Sequence, residues 1–219
     1  MAVQHSYGKM VTDGLVLYLN AADANSYVSG STTWYDLAGS NNGTLSNGVA
    51  YTGSNFGSLV FDGVDDIINT NVFSGRNPTT DPFTVEAMVK SNTTSGTRMW
   101  VDVGSNGTNQ RFYSSLIDGT TSATGIQSSG WADSTPDHTN WSHQVIVMDG
   151  QNAKAYADSI FKYQIGYTSY TLPGGLNIGG RPGYIWLGQI SIFKVYNRAL
   201  STTEILQNYN ATKTRFGLT

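Results

Sequence analysis

Along the whole chain, apolar residues alternate with polar ones, or gather in short runs, between stretches rich in Gly, Asn, Asp and Ser. The clearest alternation is Phe83-Thr84-Val85-Glu86-Ala87-Met88-Val89-Lys90. It predicts a strand with Phe83, Val85, Ala87 and Val89 toward a core and Thr84, Glu86 and Lys90 away from it. In residues 14–19, Leu15, Leu17 and Leu19 share one face while Val16 and Tyr18 share the other, which predicts a strand covered on both sides. Residues 58–61 form an apolar run that ends in Asp62-Gly63-Val64-Asp65-Asp66, and Ile67-Ile68 resumes it. Further strands are predicted at 98–103, 111–117, 143–148, 153–157 and 176–178. Asn42-Gly43 predicts a tight turn, because both residues tolerate positive φ.

Near the end the period changes. A continuous apolar strand at 188–196 runs into Asn197-Arg198-Ala199-Leu200-Ser201. Ser201 and Glu204 have the spacing of a capping box, and Ile205, Leu206 and Tyr209 follow at helical spacing. One short C-terminal helix is therefore predicted in an otherwise all-β chain. No heptads, short repeats or composition breaks appear. The expected organisation is an N-terminal arm at 1–13, one domain at 14–211 and a tail at 212–219. Residues 114–140 read as a long, polar, turn-rich stretch around Trp131, and such stretches often carry function.

A length of 219 residues suits one all-β sandwich. Charged residues are only 12%, about half the usual share, so the expected surface is polar but weakly charged. Five Trp, thirteen Tyr and eight Phe supply core material and argue against a disordered linker. The net charge is -3 with no basic run, which argues against nucleic acid as a partner. No apolar run approaches the ~20 residues of a membrane span, and the first nine residues lack a secretory apolar region. Cysteine is absent, which excludes disulfides and thiolate metal sites.

Candidate chemistry is sparse. Glycoside cleavage usually needs two carboxylates about 5–10 Å apart. The chain has two glutamates: Glu204 is explained by the cap, and Glu86 has no acidic neighbour two residues away. The three histidines, His5, His138 and His143, accompany no nucleophile elbow. No catalytic residue is assigned, and a non-enzyme is expected. Asp62, Asp65 and Asp66 could offer oxygen ligands to calcium, but their spacing is not that of an EF-hand, and Asp-Gly and Asp-Asp make turns unaided. The turn is the preferred reading, and no cofactor is expected. Aromatic rings beside turn residues can stack on sugars or meet a protein partner, which singles out Trp131 and the Arg181-Pro182-Gly183-Tyr184 segment. Trp34, Trp100, Trp141 and Trp186 lie in or beside apolar strands and are read as core.

Five segments carry a resemblance: 14–19 with Trp34-Tyr35-Asp36-Leu37, 61–66, 83–90, 140–150 (with Trp141, His143 and Asp149-Gly150), and the strand, Tyr196-Asn197-Arg198-Ala199-Leu200-Ser201 and helix at the end. Their order resembles laminin-G-like domains of the concanavalin A-like jelly-roll class. The resemblance implies a two-sheet antiparallel sandwich with one short C-terminal helix. Residues 11–23 and 208–217 further resemble stand-alone virion proteins of tailed marine or cyanobacterial bacteriophages. That implies a non-enzymatic virion surface protein, a capsid decoration or a head or tail fibre component, assembled in the host cytoplasm. The expected partners are other virion proteins and further copies of the chain, held through the arm or the tail with Phe216 as an anchor. The alternative is an adhesin that binds host-surface polysaccharide. One departure is Ser191, where the family often has an acidic residue near a bound calcium.

Overall fold

The computed structural model describes residues 8–73, 75–104, 111–117, 121–126, 131–134, 139–167, 171–172 and 175–219. The strands, in chain order, begin with β1 (Leu15–Asn20), β2 (Thr33–Trp34), β3 (Gly43–Ser46), β4 (Ala50–Thr52), β5 (Ser58–Asp62) and β6 (Ile67–Thr70). They continue with β7 (Phe83–Ser91), β8 (Arg98–Gly104), β9 (Arg111–Ile117), β10 (Thr121–Ile126) and β11 (Trp131–Ser134). The remainder are β12 (Ser142–Met148), β13 (Asn152–Ala157), β14 (Ile160–Gly166), β15 (Leu176–Ile178) and β16 (Leu187–Tyr196), followed by helix α1 (Thr202–Thr212).

They form two eight-stranded sheets. The first runs β14-β13-β12-β7-β16-β5-β4, and β1 also pairs with β16. The second runs β11-β10-β9-β8-β15-β6-β3-β2. Neighbouring strands in both sheets pair antiparallel. β16 is the spine of the first sheet: β7 lies along one edge, while β5 and then β1 share the other. The short turn 63–66 crosses between the sheets, because β5 belongs to the first and β6 to the second.

The main core fills the space between the sheets. Phe83, Val85, Ala87 and Val89 point into it as their alternation predicts, beside Leu17, Leu19, Trp34, Trp100, Trp186 and Phe193. The outer face of the first sheet is also covered. α1 lays Ile205 and Tyr209 against it, and Val11, Val145, Tyr196 and Leu200 join Ile205 in a second cluster. Trp141, Phe216, Met88 and Ile192 make a third. Val11, within the segment read as an arm, is buried, and so is Phe216 in the segment read as a tail. Residues 1–7 of that arm lie outside the described residues.

Several local readings change. Asn42-Gly43 is not a positive-φ turn: neither residue has positive φ, and Gly43 opens β3. Glycine is needed there because a Cβ would come 2.7 Å from Ile68 Cγ2. The polar stretch 114–140 holds the end of β9 and all of β10 and β11. Their Ser, Thr and Gly content gave no apolar alternation to read. On α1, Leu206 is exposed and Asn208 takes the buried position.

Candidate functional site

The outer face of the second sheet is built by strands whose alternate residues fill the core. Val101 and Val103 of β8, Leu176 and Ile178 of β15, and Ile68 of β6 point inward. The residue between each inward pair must point outward: Asp102 on β8, Asn177 on β15, and Asn69 beside Ile68 on β6. Register then joins one row across the whole sheet. Thr33 faces Thr44, Thr44 faces Asn69, and Asn69 faces Asn177. Asn177 faces Asp102, Asp102 faces Tyr113, Tyr113 faces Gly125, and Gly125 faces Trp131. At the usual strand spacing the row is roughly 30 Å long. Thr44 and Asn69 are exposed, Asn177 and Tyr113 are half-buried, and Asp102 is buried. The row offers amide and hydroxyl groups with an aromatic position at one end, and its carboxylate, Asp102, lies buried beneath them.

Of the residues singled out in the sequence, Trp131 belongs to this row by its backbone; its side chain lies outside the described residues. Arg181 and Tyr184 lie apart from it. The Tyr184 amide donates to the Arg181 carbonyl, closing a turn, and the Arg181 guanidinium sits 4.4 Å from the Tyr184 ring centroid. Tyr184 is 37% exposed, with this ring face already turned to a cation. The turn reaches β8 through Met99, whose amide donates to the Tyr184 carbonyl. β8 and the Trp131 strand are three positions apart in the sheet, roughly 14 Å. Arg98 ties the Arg181–Tyr184 end to the aspartate turn: its Nη1 donates to Gly63 O at 2.8 Å and Ile185 O at 3.3 Å. In that turn, one carboxylate oxygen from each of Asp62, Asp65 and Asp66 lies within 4.8 Å of the others.

Asn69, Asn177, Asp102 and Tyr113 were not picked out by sequence. Asp102 had a signal, since it stands between two core valines; its alignment with Asn177 depends on a register that only the paired strands reveal.

Glu86 is placed away from this face. It lies on the outer face of the first sheet, buried beneath α1. Its Oε1 is 2.7 Å from Lys194 Nζ and 2.9 Å from His143 Nε2, and its Oε2 accepts from Asn208 Nδ2 at 2.7 Å. Burial pushes the carboxyl up, but Lys194 and His143 outweigh burial and hold it down at about 2. Asn208 Nδ2 also donates to the Tyr196 hydroxyl, which in turn donates to the Val11 carbonyl, and the Val11 amide donates to Asn208 Oδ1. Burial and then the Glu86 charge push the Tyr196 phenol above its ordinary range. This network fastens the arm and helix to the sheet and leaves Glu86 closed to a substrate.

Ser191 is also internal. Arg215 donates to Ser191 Oγ, to the carbonyls of Asn55 and Gly57, and to Asn20 Oδ1. A guanidinium thus fills the oxygen-lined place beside Ser191.

Residues 61–206, about two thirds of the chain, match the family model Laminin_G_3, described as the concanavalin A-like lectin/glucanases superfamily. The chain belongs to this superfamily. No curated protein sequence matches it significantly. Similar folds occur in solved structures. Trypanosoma rangeli sialidase in complex with sialic acid superposes with a TM-score of 0.73 at 16% identity, over 92% of this chain and 33% of the sialidase. Domain 4 of AbnA, a GH43 extracellular arabinanase from Geobacillus stearothermophilus, in complex with arabinotriose, gives 0.67 at 16% identity, over 89% of this chain and 98% of that domain. The receptor binding domain of botulinum neurotoxin D gives 0.67 at 12% identity, over 90% of this chain and 52% of that one. This concanavalin A-like chain spans about a third of the sialidase it matches.

Proposed function

We propose that this concanavalin A-like domain is a non-enzymatic module that binds host-surface polysaccharide on the outer face of its second sheet, as a surface protein of a bacteriophage virion. The observation that carries the binding reading is the row from Thr33 to Trp131. Sugars are held by amides and carboxylates that read hydroxyls and by rings that meet the apolar sugar face. A row that crosses all eight strands suits several consecutive residues of a polymer better than one small molecule. The arabinotriose and sialic acid complexes are those of the neighbouring proteins; they make a saccharide the first ligand class to test here.

The non-enzymatic reading is supported by Asp102 being the sole carboxylate in the row, where cleavage of a glycosidic bond ordinarily needs two. Glu86 is buried against Lys194 and His143. The virion role rests on the resemblance of residues 11–23 and 208–217 to phage surface proteins. It includes attachment to other virion proteins through the arm at 1–13, since Phe216, the anchor expected of the tail, packs within the domain, and repeated copies in symmetric contact.

Two experiments separate the parts. Calorimetric titration with host envelope polysaccharide should give saturable binding, and Asn69→Ala should weaken it several-fold, as expected for one lost hydrogen bond. Unchanged affinity in Asn69→Ala and Asn177→Ala would remove the row as the site. Mass spectrometry of purified particles should detect the protein; its absence there would end the virion assignment and leave the binding reading intact.

A further inference from the structure

The turn that crosses between the sheets carries a buried charge that turn chemistry does not explain. Asp62 Oδ1 accepts the amides of Val64 and Asp65, at 2.8 and 3.4 Å, as turn-forming aspartates do. Asp66 Oδ2 accepts the Asp62 amide at 2.9 Å. Among the described residues Asp66 Oδ1 accepts from no donor, although Asp66 is only 2% exposed. A buried carboxylate oxygen without a partner costs folding free energy unless something compensates it. The side chains packed around it do not. A Cβ at Gly48 would lie 3.8 Å from Oδ1, and the neighbouring Asn47 amide is directed to the Asp65 carbonyl at 2.7 Å. Arg98 reaches the turn at the Gly63 carbonyl rather than at a carboxylate. Burial, and then the charges of Asp62 and Asp65, push the Asp66 carboxyl up.

Three carboxylate oxygens within 4.8 Å of one another fit one ion. Calcium binds oxygens at 2.3–2.6 Å, so two ligands on opposite sides of it stand about 4.8 Å apart. We infer that Asp62, Asp65 and Asp66 bind a calcium ion, with Asp66 Oδ1 as the buried ligand and water completing the shell. This goes beyond the glycan reading and does not depend on it. The ion would join the end of β5 in one sheet to the start of β6 in the other. Its effect would be on the joint between the two sheets, and the polysaccharide face would be influenced only through β6. The oxygens that surround Arg215 beside Ser191 are a separate place, already filled by a side chain.

The test uses the full chain, treated with EDTA and then melted with calcium chloride or magnesium chloride. Calcium well above its Kd should raise the melting temperature by roughly 5–10 °C for a chain of this size, and magnesium should do much less. Asp66→Asn should melt higher than wild type in EDTA, because it removes an uncompensated buried charge, and should not respond to calcium. Asp65 is exposed, so Asp65→Asn should fold normally; its calcium affinity by calorimetry should fall about tenfold. A wild-type chain indifferent to calcium, a full calcium shift in Asp66→Asn, or unchanged affinity in Asp65→Asn would each overturn the site.

Discussion

Lys194 Nζ lies 2.7 Å from Glu86 Oε1, and both side chains are buried on the face of the first sheet that α1 covers. Removing one partner of such a pair leaves the other charge without compensation, which typically costs about 3–5 kcal/mol. Glu86→Gln should therefore destabilise the domain strongly, measured by urea denaturation. Glu86→Met with Lys194→Met should recover most of the loss. A double-mutant cycle with no coupling would show that the pair does not act as a unit.

The same carboxylate sets an acid limit. Its pKa falls from 4.5 to about 2 in the folded chain. A depressed carboxylate contributes stability that is present above its unfolded pKa and lost as pH falls through the folded one. Lys194, His143, Tyr196 and Asn208 face it from β16, β12 and α1. Wild type should lose stability between pH 4.5 and about 2, whereas Glu86→Gln should show a flatter profile there. Parallel profiles would point to other groups as the source of acid unfolding.

At the start of α1, Ser201 Oγ accepts the Glu204 amide, and Glu204 Oε2 accepts the Ser201 amide at 2.9 Å. Arg198 grips the same carboxylate at 2.6 Å. Ser201→Ala should lower stability by about 0.5–2 kcal/mol through the lost cap. A melting temperature equal to wild type would mean that the Arg198 contact suffices to hold the helix start.

On the second sheet, Asn177 is half-buried between Asn69 and Asp102. Asn177→Ala should leave the melting temperature within a few degrees of wild type and weaken polysaccharide binding several-fold, since about 1 kcal/mol is a factor of five. Equal losses of binding and stability would instead mark Asn177 as a packing residue.

Much of the architecture could be read from the chain because alternation is local. Phe83, Val85, Ala87 and Val89 announce their inward face, and Ser201 with Glu204 announces the helix start. Alternation says which way a side chain points, not what lies over it. Glu86 was correctly set on the face away from the main core, yet only the tertiary structure places Asn208 and Tyr196 above it. The candidate site was less legible for a related reason. Residues aligned on a sheet are often distant in sequence, and Asn69, Asp102 and Asn177 meet only through register. Neither alternation nor motif spacing marks the unpartnered buried oxygen of Asp66.

The position of β16 has a consequence for synthesis. Leu187–Tyr196 is made after all the other described strands, yet it stands between β7 and the strands β5 and β1. Until it leaves the ribosome, the first sheet exists as two unconnected halves, and among the described strands β1 lacks the one it pairs with. Its pairing closes a very long loop, the kind of contact that makes folding slow. The nascent chain must therefore carry β1 without its sheet neighbour while β2 to β15 are made, and the first sheet closes only when β16 is threaded in.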